Sequence, residues 1–362
     1  MIRRPPRSTL SPSSAASDVY KRQGVSVLGL DVATMRYISY YGGKKDPLNT
    51  LLVYKYIITL TTISGLMITI ILALLSTQIS LFFFKTIEYS MIILISCSLV
   101  ITNVLTIISV NTLLGLQKYY HVAAYRIIAQ ISRISISTFL LLYGLGILAV
   151  ILGWLIFYIV IVIAAVPIIV KFVLNLKRAS QSESNAPEVT IRSLLQFSLP
   201  IMSCQIISFI AVSLDQFVLL KLAGARPLGT YTVALTAASV ISMTMIVPIV
   251  STLIPGFSET FGRVGVKQVS ASLRLASRYI NMILIPACVG LAILSPLFVV
   301  LLGGSKYIDA APPLTIISLG LITYGLSTSI STALVAIGRT SDVLVANIAA
   351  LIAELISAVL LV

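Results

Sequence analysis

Four polar residues within one apolar stretch, AYRIIAQISRISIST, recur at helical spacing. Arg126, Gln130, Arg133 and Ser137 are separated by four, three and four residues, which places them on one face of a helix. An arginine presents a planar fork of N–H donors that suits the oxygens of a phosphate or pyrophosphate. We therefore interpret Arg126, Gln130 and Arg133 as candidate ligands of an anionic substrate. The alternative is a structural contact inside one bundle of helices.

A second basic group occurs in the segment MRYISYYGGKKD, where Arg36 precedes Lys44 and Lys45. Charge-assisted hydrogen bonds from Arg36 would hold a pyrophosphate at the cytoplasmic mouth of a transport path. The alternative is that these charges only orient the chain in a membrane. Asp31, five residues before Arg36, is a candidate local partner for it.

Two carboxylates, Asp215 and Glu354, lie inside long apolar stretches. Asp215 lies about 21 residues into its stretch, roughly 31 Å along a helix, and Glu354 about 12 residues, roughly 18 Å. Ionisable groups at membrane depth are costly, so we interpret both as candidates for gating or for coupling to H⁺ or Na⁺. The alternatives are an interfacial carboxylate for Asp215 and a structural pair for Glu354.

The sequence shows no pattern typical of an enzyme, a metal site or a cofactor site. It has no Ser/His/Asp set and no glycine-rich phosphate loop, and His121 is its one histidine. The cysteines Cys97, Cys204 and Cys288 lie inside apolar runs and are expected to be inert thiols. We therefore expect neither catalysis nor a cofactor.

The elements that hold these residues are predicted to lie in lipid. Hydrophobic residues make up 58% of the 362 residues and charged residues only 10%, whereas a soluble domain has about 25% charged residues. The formal net charge is +14, but the composition leaves no water-facing domain on which nucleic acid could bind. Nucleic acid is therefore excluded as a partner. The composition predicts an all-α, multi-pass protein of the cytoplasmic membrane.

Apolar stretches long enough to cross a bilayer recur along the chain. They lie at about 24–41, 50–75, 88–112, 122–144, 147–172, 194–222, 228–255, 276–302, 311–337 and from 342 onward. The loops between these stretches alternate in charge. One set contains only four basic residues, Lys85, Lys221, Arg226 and Lys306, whereas the other set is rich in Lys and Arg. By the positive-inside rule the basic loops are cytoplasmic, and segments 76–87 and 303–311 are external.

Two polar segments interrupt this pattern. Residues 1–23 contain SSAASDVYKRQ, which resembles the in-frame translation of a sequencing adapter, so we interpret them as a non-native leader. Residues 174–193 are polar and without periodicity, and they predict a cytoplasmic linker between an N-terminal lobe, 24–173, and a C-terminal lobe, 194–362.

The two lobes are related by a weak internal repeat. A shift of 223 residues superimposes Gly42 on Gly265, Lys44 on Lys267 and Tyr56 on Tyr279, and it also aligns the apolar stretches. By this repeat one helix is expected before the first residue and one after the last, which gives two six-helix lobes. Six is an even number, so the lobes share one orientation and a pseudo-two-fold axis along the membrane normal.

Several segments together resemble a known family. They are LGLDVATMRYISYYGGKKD, NTLLGLQKYYHVAAYRI, LLQFSLPIMSCQIISFIAVSLDQFVLLKLAGARPLGTYTVA and LLGGSKYIDAAPPLTII. In order and spacing they are similar to the Wzx-type polysaccharide flippases of the multidrug/oligosaccharidyl-lipid/polysaccharide (MOP) exporter superfamily. The resemblance implies a MATE-like fold, and a monomer that moves a polyprenyl-pyrophosphate-linked oligosaccharide between the leaflets of a membrane, with membrane lipids around it.

Three other functions stay open at this point. A cation-coupled multidrug exporter of the MATE type shares the fold but favours an acidic cavity, whereas the cytoplasmic side here is cationic. A lipid II flippase-like protein would differ only in its glycan. A membrane-embedded glycan polymerase or ligase needs a large external loop, and the longest external segment, 76–87, has about a dozen residues.

Overall fold

The computed structural model describes residues 27–181 and 188–361. The interpretation of residues 1–23 as a leader lies outside the described residues, as does the middle of the 174–193 linker. Where it is described, the chain is almost wholly helical, as the sequence predicts. The helices are α1 (Leu30–Lys44), α2 (Pro47–Leu74), α3 (Ser76–Phe84), α4 (Ser90–Gly115), α5 (Tyr119–Leu142), α6 (Ile147–Ser180), α7 (Ile191–Leu222), α8 (Ala225–Ile241), α9 (Val247–Val264), α10 (Val266–Ile293), α11 (Ser295–Gly303), α12 (Ala311–Ala336) and α13 (Thr340–Leu361).

Among the described residues, nine helical segments are long and apolar enough to cross a membrane. Their outward faces carry large hydrophobic side chains that would be costly in water: Leu74 is 75% exposed, Leu142 82% and Met282 73%. Lipid satisfies these faces, and intrahelical hydrogen bonds satisfy the backbone. The chain is a multi-pass membrane protein.

The helix boundaries depart from the sequence prediction in several places. The external segment 76–87 is mostly the short helix α3 rather than a loop. The single stretch predicted at 276–302 is two helices, because α10 ends at Ile293 and α11 starts at Ser295 with Pro296 in its first turn. The polar linker is largely helical at its start, since α6 continues to Ser180.

The 223-residue shift relates helices as well as residues. It carries α2 onto α10, α3 onto α11, α4 onto α12 and α5 onto α13, each within a few residues. It also carries α1 onto the end of α9, and these two equivalent helices pack closely against each other. The pseudo-two-fold axis therefore passes between α1 and α9, where the two halves meet.

The chain that leads into α7 is tied to the first half. The Asn49 side-chain oxygen accepts hydrogen bonds from the backbone N–H groups of Glu188, at 2.9 Å, and Val189, at 3.3 Å. Asn49 is itself held by Asp46, which caps α2. Thr190 and Ser193 then form a capping box that starts α7. Residues 188–190 are therefore held against the first half by hydrogen bonds.

Candidate functional site

Arg36 lies buried at the seam between the halves, with 7% of its surface exposed. Its guanidinium carbon lies 4.3 Å from the Tyr37 ring centre, 5.1 Å from that of Tyr40 and 5.0 Å from that of Phe197. Phe197 belongs to α7, so the cage joins both halves. Aromatic faces stabilise a cation that has lost its water. The cage therefore keeps Arg36 charged away from water.

The end of α12 supplies the backbone partner of Arg36. The Arg36 Nε donates a hydrogen bond to the carbonyl oxygen of Ala336 at 3.3 Å. Ala336 is the last residue of α12, and a cation there complements both the unpaired carbonyls and the helix dipole. A β-carbon at Gly338, where φ is +90°, would lie 2.9 Å from an Arg36 terminal nitrogen. Gly338 is therefore needed both for the positive φ of the turn and for the space that the Arg36 guanidinium occupies.

Asp31 is not the partner of Arg36, contrary to the pairing considered from the sequence. The described residues contain no ion pair between the two. Residues five apart point to different faces of a helix, so the spacing itself opposes the contact. Asp31 instead neighbours the Gln205 side chain of α7, and its Oδ1 is buried without a hydrogen-bond partner.

Further along α1 from Arg36, the two halves approach each other closely. A β-carbon at Gly43 of α1 would lie 2.5 Å from the carbonyl oxygen of Glu259 in α9, and one at Gly262 would overlap the carbonyl oxygen of Tyr40. Each helix thus places a glycine against the backbone of the other. No other residue type allows so close a crossing.

Polar side chains join the halves around this crossing. The Gln117 amide donates to one carboxylate oxygen of Glu259, and Arg263 pairs with the other at 3.3 Å. Lys44 pairs with Glu188 at 3.4 Å, and the pKa of Lys44 is raised, chiefly by its side-chain hydrogen bond with Tyr40. These groups lie in the segments that charge assigns to the cytoplasm. On the orientation that charge predicts, these contacts close the cytoplasmic end of the structure.

The polar stripe of α5 lies partly against α6 of the same half. The Arg133 guanidinium carbon lies 4.2 Å from the Trp154 ring centre, and Ser137 occupies the space beside Gly153. The Arg133 Nε is buried without a partner, whereas Arg126 is exposed and Gln130 half-buried. The stripe is continuous, as predicted, but Arg133 and Ser137 have neighbours inside the first half.

The two membrane-depth carboxylates lie together, which the sequence did not predict. Asp215 of α7 and Glu354 of α13 lie within interaction distance of each other and line one small apolar cavity. The Tyr231 hydroxyl of α8 donates to Asp215 Oδ2 at 3.5 Å. Two carboxyl groups in contact are stable only if they share a proton or hold a cation between them. Tyr231 was not among the candidate residues, because a lone tyrosine in an apolar helix gives no signal.

Within the described part of the chain, no cluster of His, Cys, Asp and Glu has the make-up of a metal site. Cys97 and Cys288 are buried and Cys204 half-buried, each as a free thiol.

Comparison with known proteins identifies the family. The model of a family described as polysaccharide biosynthesis protein matches residues 44–312, well over half of the chain. The chain belongs to this family. No curated protein matches the sequence significantly. The family bears out the resemblance to the polysaccharide flippases of the MOP superfamily that the sequence segments indicated.

Solved structures of MATE and other MOP-superfamily transporters share the fold. A MATE transporter in a bent conformation has a TM-score of 0.73 at 19% identity over 94% of this chain and 78% of its own. A mutant of the Vibrio cholerae MATE transporter VcmN has a TM-score of 0.78 at 15% identity, over 94% and 79%. A MOP-superfamily transporter from Pyrococcus furiosus has a TM-score of 0.69 at 19% identity, over 94% and 78%. The chain thus belongs to a polysaccharide biosynthesis family and shares the fold of these transporters.

Proposed function

We propose that this transporter flips a polyprenyl-pyrophosphate-linked oligosaccharide across the cytoplasmic membrane, and that Arg36 binds the pyrophosphate. The observation that carries the proposal is the state of Arg36. It is buried and cationic at the seam between the halves, and no carboxylate of the described residues pairs with it. A buried cation without a counter-ion favours an anionic ligand.

The same residue explains how binding would follow opening. In the closed structure Arg36 donates to the Ala336 carbonyl and stacks on Phe197, and both of these belong to the second half. When the halves separate at the cytoplasmic end, Arg36 loses both partners. A pyrophosphate then replaces the carbonyl with a stronger, charge-assisted acceptor. Substrate binding and cytoplasmic closure thus compete for one guanidinium.

The carboxyl pair is our proposed coupling site. Asp215 and Glu354 lie in the second half, away from Arg36, and they can take up a proton or a monovalent cation without contacting the glycan. The Tyr231 hydroxyl orients Asp215. An inward gradient of H⁺ or Na⁺ would then supply the energy for re-orientation of the halves.

The second candidate is a cation-coupled multidrug exporter of the MATE type. The observation in its favour is the same carboxyl pair, because an acidic site at membrane depth would also suit a cationic drug. The caged Arg36 opposes it, since a guanidinium at the seam would repel a cation. A lipid II flippase-like protein fits Arg36 equally well and differs in the glycan carried.

Complementation tests the proposal. The chain should restore surface glycan in a flippase-deficient strain that makes a matching glycan, and it should not raise resistance to cationic dyes. Arg36→Ala should abolish the rescue, and Arg36→Lys should reduce it because the bidentate fork is lost. Lys45→Ala is the matched control, since Lys45 is an exposed member of the same basic cluster. Dye efflux without glycan rescue, or equal loss in Arg36→Ala and Lys45→Ala, would refute the proposal.

A further inference from the structure

A second cavity, of about 380 Å³, lies at the external end of the second half. It is formed where α7 ends and where α8 and α12 begin, beside the Arg226 loop that charge places outside. Arg226, Thr230, Tyr231 and Asp309 supply its polar groups, and Pro227 and Pro313 contribute apolar surface. A few convergent polar groups on an apolar wall, at a volume within the usual range of ~300–1,000 Å³, are typical of a small-molecule site.

The charges of this cavity cancel each other. Arg226 Nη2 lies 3.4 Å from Asp309 Oδ2, and both side chains are largely exposed. An anion drawn to Arg226 would meet the Asp309 carboxylate, and a cation drawn to Asp309 would meet the guanidinium. A neutral ligand avoids both penalties and still finds donors on Arg226 and acceptors on Asp309. The cavity therefore selects for a neutral, polyhydroxylated molecule.

The remaining wall suits a sugar ring. A pyranose has one face of C–H groups, which packs on flat apolar surfaces, and an edge of hydroxyl groups. Tyr231, Pro227 and Pro313 supply such surfaces in the lining, which also includes Thr230. We infer that this cavity binds a short segment of the neutral part of the exported glycan on the external side. The inference rests on the proposed function, because the flipped substrate supplies the sugar.

Tyr231 connects this cavity to the proposed coupling site. Tyr231 lines the cavity, and its hydroxyl donates to Asp215, which interacts with Glu354. A sugar that packs on the ring changes the position of the hydroxyl that orients Asp215. Binding in the cavity and the state of the carboxyl pair are therefore linked, and such linkage is reciprocal.

Protection of an introduced thiol tests the inference. Thr230→Cys in the full chain, in membranes, should react with an impermeant maleimide from outside. The probes are galactose, mannose and N-acetylglucosamine, with inorganic phosphate and tetraethylammonium as charged comparisons. At about ten times its dissociation constant a bound sugar should slow labelling about tenfold. Thr86→Cys, in the external segment of the first half, is the control and should label at the same rate with and without sugar.

Substitutions in the Arg226–Asp309 ion pair provide a second test of the inference. Asp309→Asn and Arg226→Gln should each weaken the sugar protection at Thr230→Cys, whereas Lys85→Gln, a basic residue on the other external segment, should leave it unchanged. Absence of protection by every sugar, or protection by phosphate or tetraethylammonium alone, would overturn the inference. If surface glycan is still restored, that failure leaves the proposed function standing. Sugar protection without any glycan rescue would support the cavity and reject the proposed function.

Discussion

Gly262 of α9 lies so close to Tyr40 of α1 that a β-carbon at residue 262 would overlap the Tyr40 carbonyl oxygen. Gly43 makes the reciprocal approach to Glu259, where a β-carbon would lie 2.5 Å from the backbone oxygen. Both obstructing atoms are backbone, so no side-chain movement can relieve the overlap. The cytoplasmic closure of the two halves therefore depends on glycine, which has no side chain, at both positions.

The first prediction is that Gly262→Ala holds the cytoplasmic end open. The methyl group keeps helix propensity high but cannot fit against Tyr40, so export should fall strongly while the chain still inserts. Gly256→Ala is the matched control, because Gly256 lies on the same helix and has no atom within 4 Å of its would-be β-carbon. Surface glycan and reactivity of Gln117→Cys from the cytoplasm would be measured. Equal export by the two variants would show that closure does not need this contact.

The second prediction separates backbone strain from contact with Arg36. Gly338 and Gly265 both have φ of +90°, but only Gly338 faces Arg36, and Gly265 has open space. Alanine at such a positive φ costs on the order of 1–3 kcal/mol at either position. Gly338→Ala should in addition displace the guanidinium and reduce export far more than Gly265→Ala does. Thermal stability of the purified variants should fall by similar amounts, and a similar loss of export in both would reject a specific role for the Gly338 contact.

The third prediction concerns orientation. Charge places the end of α6 in the cytoplasm and segment 76–87 outside. A cysteine at Ser180 should therefore react with an impermeant maleimide only in opened cells, and a cysteine at Thr86 in intact cells. Thr86 is exposed and Ser180 is half-buried. Labelling of Ser180→Cys in intact cells would invert the whole arrangement.

The sequence predicts the helices well because bilayer thickness dictates the length of an apolar span. It misses the helix in segment 76–87 and the break at Leu294, since short helices and breaks leave no trace in apolar length. The repeat predicts that α1 is equivalent to the end of α9. It does not predict how closely the two helices cross, because that depends on which face of each helix Gly43 and Gly262 occupy.

The candidate sites show the same limit. Helical spacing predicts that Arg133 and Ser137 share a face, and they do, yet spacing cannot name Trp154 as the neighbour of that face. Asp215 and Glu354 each stood out by depth alone, and only the packing of α7 against α13 brings them into contact. Contacts between residues far apart in the chain need the three-dimensional arrangement.

The fourth prediction tests the interpretation of the α5 stripe as a set of ligands for the transported pyrophosphate. On this proposal Arg133→Lys should reduce export with normal expression, because an ammonium lacks the bidentate fork. Arg133→Ala should nearly abolish export. Trp154→Leu is the comparison, since it removes the stacking partner but keeps the charge. If Arg133→Ala and Trp154→Leu both lower expression alike, and export per molecule is unchanged, the stripe is scaffolding within the first half.

The last prediction concerns the carboxyl pair, whose two members must exchange a proton or a cation if they couple transport to a gradient. Asp215→Asn and Glu354→Gln keep the shape of each side chain but remove its charge, so each should abolish the acceleration that an imposed H⁺ or Na⁺ gradient gives to export. Glu88→Gln, an exposed carboxylate on the external side, should behave as the unchanged chain does.

The readout is flipping in proteoliposomes with and without the gradient, which separates coupling from transport itself. Without a gradient, the Asp215→Asn and Glu354→Gln variants should still equilibrate substrate between leaflets, because Arg36 and the cytoplasmic crossing are untouched. Tyr231→Phe keeps the ring but loses the hydroxyl that donates to Asp215, so it should weaken the gradient response without removing it. If the Asp215→Asn/Glu354→Gln double variant responds to the gradient as fully as the unchanged chain, the pair is a structural contact between α7 and α13, and coupling lies elsewhere.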